Sequence, residues 1–121
     1  MDFRDLHAYK LGFELAMEIF KVSKKFPKEE TYSLIDQICR SSQSVCANIA
    51  EAYRKRQYPA HYASKLSDSD AENADTLAWL EFALECEYID KNTYEDLVAN
   101  NQSVGNLIGY MMNNPQKFGV K

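Results

Sequence analysis

The sequence predicts an all-α, antiparallel up-down-up-down four-helix bundle, on three observations. Only 4 glycines and 3 prolines punctuate 121 residues, too few for an all-β chain that reverses direction every 8 to 12 residues or so. Long segments carry apolar residues at spacings of three and four, the period of a helix with one buried face. The junctions between them are short, which makes consecutive helices antiparallel neighbours. Helices are expected near 4–25, 28–56, 60–88 and 91–113 of a single domain spanning 1–121, with 116–121 as a loose tail.

The first helix carries two apolar groups. Leu6, Tyr9, Phe13, Ala16, Met17 and Phe20 share one face, and Leu11, Leu15, Ile19 and Val22 lie nearly opposite. A bundle helix needs one such stripe, so the second group is assigned to contact with another subunit, the alternative being one broad apolar face with scattered exposed leucines. Pro27, followed by Lys28-Glu29-Glu30, fits the opening of the second helix, with two carboxylates where the helix dipole favours them. That helix has the cleanest period: Ile35, Ile38, Ser42, Val45, Ile49 and Ala52, widened by Cys39, Cys46 and Tyr53.

Pro59 opens the third helix, which is apolar at its end (Leu77, Leu80, Leu84) and polar between Ser67 and Asn73. Asp90 is a credible N-cap for the fourth, whose stripe runs Tyr94, Leu97, Val98, Asn101, Val104, Ile108, Met111 and Met112 to Pro115. Gly105 and Gly109 on that helix have the spacing that lets two helix backbones approach closely, inside the bundle or between subunits.

Hydrophobic residues make up 45% of the chain and charged residues 26%, an ordinary globular composition that needs no disulfide or metal to fold. Net charge is −4, but residues 1–65 carry +3 and residues 66–121 carry −7. That balance opposes a uniformly basic nucleic-acid binder and leaves a local patch: Arg54, Lys55 and Arg56 are consecutive, with Arg40 one further candidate on the same helix. An odd cysteine count, no CxxC pair and an N-terminus without an apolar core set the expectation of a cytoplasmic protein. No apolar run reaches membrane-spanning length, so no membrane partner is expected.

Catalytic and metal chemistry find little support. The Glu-x-x-His pairs of di-metal bundles are absent, since Arg4 and Tyr58 stand three residues before His7 and His61. Asp68, Asp70 and Glu72 begin like a calcium loop, but Asn73 replaces its glycine and Trp79 its bidentate Glu. Cys39 and Cys46 sit on an apolar seam and read as small core residues. No catalytic residue, cofactor or metal is therefore assigned. A polar ridge remains, Arg40, Ser41, Ser44, Asn48 and Glu51 on the second helix, facing Glu72, Asn73 and Asp75 on the third. From it, Asn48, Glu51, Glu72 and Asp75 are expected to form a hydrogen-bonded network holding the two helices in register.

The segments Phe26-Pro27-x-x-Glu30-x-Tyr32-x-Leu34 and Gln37-Ile38-Cys39-Arg40-Ser41-Ser42-x-Ser44-Val45-x-x-Asn48-Ile49-Ala50-Glu51 resemble the four-helix-bundle family of proteins encoded in 23S rRNA intervening sequences. The resemblance covers nearly the whole chain. It implies a left-handed bundle that assembles into a homopentamer, and a relation to accessory proteins of diversity-generating retroelements, which bind nucleic acid and a reverse transcriptase. Ala52 stands where the family usually has Gly, and Ala71-Glu72-Asn73-Ala74-Asp75 replaces its Gly-Ser-x-x-Glu. The expectation is a non-catalytic, self-assembling binding or scaffolding module, with RNA or DNA as candidate partners. A protein-protein adaptor without nucleic-acid binding is the alternative, and an unrecognised enzyme the third reading.

Overall fold

The computed structural model describes residues 1–121 as four helices and no strands: α1 (His7–Ser23), α2 (Leu34–Arg54), α3 (Pro59–Glu85) and α4 (Lys91–Asn113). Side-chain pairs fix their directions. Gly12 lies against Cys46 and Ser23 against Cys39; Ser41 meets Thr76 and Ser69 meets Val45; Asn73 meets Asn101 and Tyr62 meets Met111. In each pair of successive helices one number rises as the other falls, so the neighbours run antiparallel. The core fills the middle with Leu15, Ile19, Ile38, Val45, Ile49, Leu66, Leu80, Val104 and Ile108, all buried. No helix is long and apolar enough to cross a membrane.

The ends of the helices differ from the sequence expectation for local reasons. Phe3–Asp5 forms a separate turn ahead of α1, closed because Asp5 accepts from the Asp2 amide at 2.9 Å and Asp2 from the Arg4 amide at 2.8 Å. Pro27 does not open α2. Its ψ of 143° is extended, Lys28–Glu30 make one tight turn, and Ser33 at φ −126°, ψ −100° keeps the chain out of helical geometry until Leu34. Glu30 compensates: its carboxylate accepts from the Ser33 hydroxyl and, at 3.4 Å, from the Leu34 amide, so a residue four positions upstream meets a first-turn amide of α2.

Pro59 and Asp90 behave as expected. Pro59 sits at the first turn of α3, and Asp90 accepts from the Thr93 amide at 2.7 Å at the start of α4. Helix α3 stops at Glu85 because Glu87 turns left-handed at φ 63°, and the Tyr88 amide reaches back to the Ala83 carbonyl at 2.9 Å. This is the closure usually made by glycine. Glu87→Gly should therefore raise stability by about 0.5–1 kcal/mol, read from the denaturant midpoint at constant slope.

The tail is not loose. Pro115–Phe118 form a turn, Gly119 is left-handed at φ 86°, and Val120 is buried. The Arg56 guanidinium donates to the Phe118 carbonyl at 3.3 Å and stacks on the Tyr53 ring 3.7 Å from its centre. The last residues are thus clamped to the C-terminal end of α2.

Candidate functional site

On α1 the second apolar group turns inward, and of the first only Leu6 and Ala16 stay buried, with Tyr9 partly buried. Leu15 and Ile19 are 2% and 1% exposed within a single chain, and Leu11 and Val22 are partly buried against the same core. The set expected to touch another subunit is therefore the intramolecular face. Phe13, Met17 and Phe20, expected inside, are 51%, 40% and 39% exposed. The cause lies in small residues. Ala8, Gly12 and Ala16 are buried, and a Cβ on Gly12 would stand 3.2 Å from the Cys46 sulfur. Close approach of α1 to α2 at these positions rotates the aromatic side chains to the outside.

The outcome is an apolar groove of about 480 Å³ along α1 and α2, lined by Tyr9, Phe13, Ala16 and Met17 on one wall and Ala47 and Ala50 on the other. Tyr9 stacks between Phe3 at 5.0 Å and Phe13 at 6.0 Å, which stiffens the aromatic wall. Exposed aromatic and methionine side chains in a contiguous strip are the composition of a protein contact.

The basic candidates separate. Arg56 is committed to Tyr53 and Phe118. Arg40 pairs with Asp36 at 3.3 Å and stands about 21 Å along α2 from Arg54. Arg54 and Lys55 carry no ion pair, and with Lys65, Glu51 and Ala50 they line an open depression. Lys65 is held by Glu51 at 3.0 Å and Asp68 at 3.9 Å; Glu51 raises its pKa. Only two of the four candidate cations are thus free of a partner, beside a third that is neutralised.

The polar network uses mostly other residues. Asn48 donates to the Ser44 carbonyl on its own helix at 3.0 Å, the Glu72 carboxylate accepts nothing from α2, and Asp75 is exposed. Of the four, only Glu51 links α2 to α3, and its partner is Lys65, outside the expected set. The buried ties are instead Ser41 to Thr76 at 2.8 Å, Ser69 to the Val45 carbonyl at 2.8 Å, and an Asn73–Asn101 pair. Each asparagine amide donates at 2.9 Å to the other residue's backbone carbonyl, and Asn101 also reaches the Asn73 side-chain oxygen at 3.0 Å. Gly105 makes room for this pair, since a Cβ there would lie 3.3 Å from the Asn73 amide, whereas a Cβ on Gly109 would meet nothing within 4 Å. The glycine spacing on α4 therefore serves packing within the bundle at Gly105. Asn101 was visible in the α4 stripe, and Asn73 in the polar stretch of α3, but the sequence turned Asn73 towards α2 and the structure turns it towards α4.

Reactive chemistry has little to work with. Burial pushes the Cys46 thiol up to about 11, which keeps it protonated near neutral pH. No group of three or more His, Cys, Asp or Glu side chains is placed to hold a metal ion. Tyr88 donates to Glu30 at 2.7 Å; that bond raises the phenol to about 12, while Ser33 and Tyr88 together lower the Glu30 carboxyl.

A family model described as 23S rRNA-intervening sequence protein matches residues 4–110. Among solved structures, one similar chain is a protein of unknown function from the S23 ribosomal protein family of Bacteroides thetaiotaomicron. The two are 27% identical, the match covers 88% of this chain and 95% of that one, and the TM-score is 0.79. No curated protein matches the sequence.

Proposed function

The chain belongs to the 23S rRNA-intervening sequence protein family, and from that premise we propose that it is a non-catalytic scaffold that assembles with copies of itself through the outer face of α1. The observation that carries this reading is the exposed strip of Phe13, Met17 and Phe20 beside the small residues Ala47 and Ala50. Aromatic side chains on one copy and a shallow, small-residue trough next to them give a surface that buries apolar area, with charged residues such as Glu14, Glu18 and Lys21 at its rim. The family resemblance sets the expected number at five.

Light scattering coupled to gel filtration tests it. Wild type should elute as a multimer, and Phe13→Glu together with Met17→Glu should give a monomer with its melting temperature retained or lowered only by the loss of assembly. A monomeric wild type at micromolar concentration would remove the proposal.

Nucleic-acid binding is the second reading, favoured by the unpaired Arg54 and Lys55 at one end of α2. Repeated by the symmetry of an assembly, two weak phosphate contacts per subunit would add through multivalency. Single-stranded RNA should then bind without sequence preference and with a steep salt dependence. Arg54→Glu with Lys55→Glu should abolish it; unchanged binding by that variant, or none by wild type at low salt, leaves the scaffold alone.

A further inference from the structure

A second depression, of about 420 Å³, opens where the turn before α2 meets α3, and its walls are Glu30, Tyr32, Gln37, Trp79, Phe82 and Cys86. Three aromatic rings in one small opening are unusual for a face with no assigned partner. Tyr32 is 94% exposed and Phe82 56%, and the Trp79 and Phe82 rings lie 5.9 Å apart at 34°. No lysine or arginine lines the opening. Glu30 is oriented before any partner arrives, because the Ser33 hydroxyl, the Leu34 amide and the Tyr88 hydroxyl all donate to it. Those bonds also hold the carboxyl below its usual range, so it stays ionised near neutral pH.

On α3 the flanking charges have the same sign. Asp75 lies one turn before Trp79 and Glu85 one turn after Phe82 on α3. On α2, Arg40 follows Gln37 by one turn, but its guanidinium is already paired with Asp36 at 3.3 Å. Aromatic faces with a fixed carboxylate, in an opening that no lysine or arginine lines, match the electrostatics of an ammonium or guanidinium group. The ring quadrupole attracts the positive charge, and the carboxylate supplies the long-range part.

We propose that this depression binds a lysine or arginine side chain presented by a partner protein. Charge complementarity selects that occupant over an uncharged apolar segment, for which Glu30 would be a desolvation cost. The site lies at the junction of the 28–34 turn with α3, away from the α1 strip, and it extends the scaffold reading by giving the chemistry of what the scaffold holds. A single exposed cation–π contact is weak, so binding becomes useful when several copies engage a partner with several basic side chains.

Trp79 is the only tryptophan in the chain, so its fluorescence reports directly on the site. The full-length protein is titrated at low salt with a synthetic peptide alternating glycine and arginine, and with the same peptide carrying citrulline. The arginine peptide should change Trp79 emission saturably and the citrulline peptide should not. Phe82→Ala and Tyr32→Ala should each weaken binding about fivefold, and Glu30→Gln should weaken it and flatten the salt dependence, with melting curves confirming that each variant is folded. Equal response to citrulline, or wild-type affinity in both aromatic variants, would overturn the proposal. So would emission that shifts on dilution of the protein alone and loses that shift in Arg54→Glu, because the occupant would then be the basic end of a second copy. The monomeric variant with Glu at 13 and 17 should keep its affinity per site, so loss of assembly and loss of peptide binding are read independently.

Discussion

Leu15→Glu is expected to unfold the protein rather than to dissociate an assembly. Leu15 is 2% exposed and belongs to the same core as Ile19, Val45 and Val104. A carboxylate there has no cation to pair with, and its charged form is strongly disfavoured in an apolar interior. Truncation already has a large effect: Leu15→Ala should cost about 2–5 kcal/mol through lost contacts and a residual cavity. Against the total stability of a small domain, roughly 5–15 kcal/mol, the charged variant should show no cooperative melt at all. Phe13→Glu, two residues earlier and 51% exposed, should behave oppositely, changing mass and sparing the fold. Circular dichroism with light scattering on both variants checks the pair; a folded, monomeric Leu15→Glu protein would show that the two faces of α1 are exchanged.

The second large effect is expected at the buried Asn73–Asn101 pair. Three hydrogen bonds of 2.9–3.0 Å satisfy both amides, and no buried side-chain polar atom in the protein lacks a partner. Asn101→Leu keeps the shape and the backbone carbonyl that the Asn73 amide donates to, but it strands the Asn73 side-chain oxygen, whose donor is the Asn101 amide, so it should cost about 1–3 kcal/mol and lower the melting temperature by roughly 4–12 °C. The double variant with Leu at both positions should recover much of that loss, because no polar side chain is then left unpaired. Denaturant unfolding of the two single variants and the double variant gives the coupling energy directly. Additive losses would mean that the two residues act independently and that register between α3 and α4 is held by their apolar neighbours.

Within one helix, local rules were sufficient. Pro59 and Asp90 mark helix starts through effects confined to one turn, and both lie where the sequence placed them. The stripe from Ile38 to Tyr53 on α2 is buried as its period predicts, because apolar spacing and helix geometry are properties of the segment itself. Pro27 shows where this locality ends. A proline followed by acids suits a helix start, yet Glu30 acts at a distance of four residues and receives Tyr88 from the junction between α3 and α4, 58 residues away. Arg56 is similar, since its partner Phe118 lies 62 residues away.

The number of helices, the starts of α3 and α4 at Pro59 and Asp90, and the antiparallel order were determined by the sequence alone, since each follows from the periodicity and punctuation of neighbouring residues. Which face of α1 turns inward, which asparagines pair and which cations stay free were decided only by the tertiary structure. Both stripes of α1 are apolar, so the helical period alone does not rank them. Gly12 ranks them by allowing the backbone close to Cys46, and that depends on the distance between helices, a quantity no single segment contains.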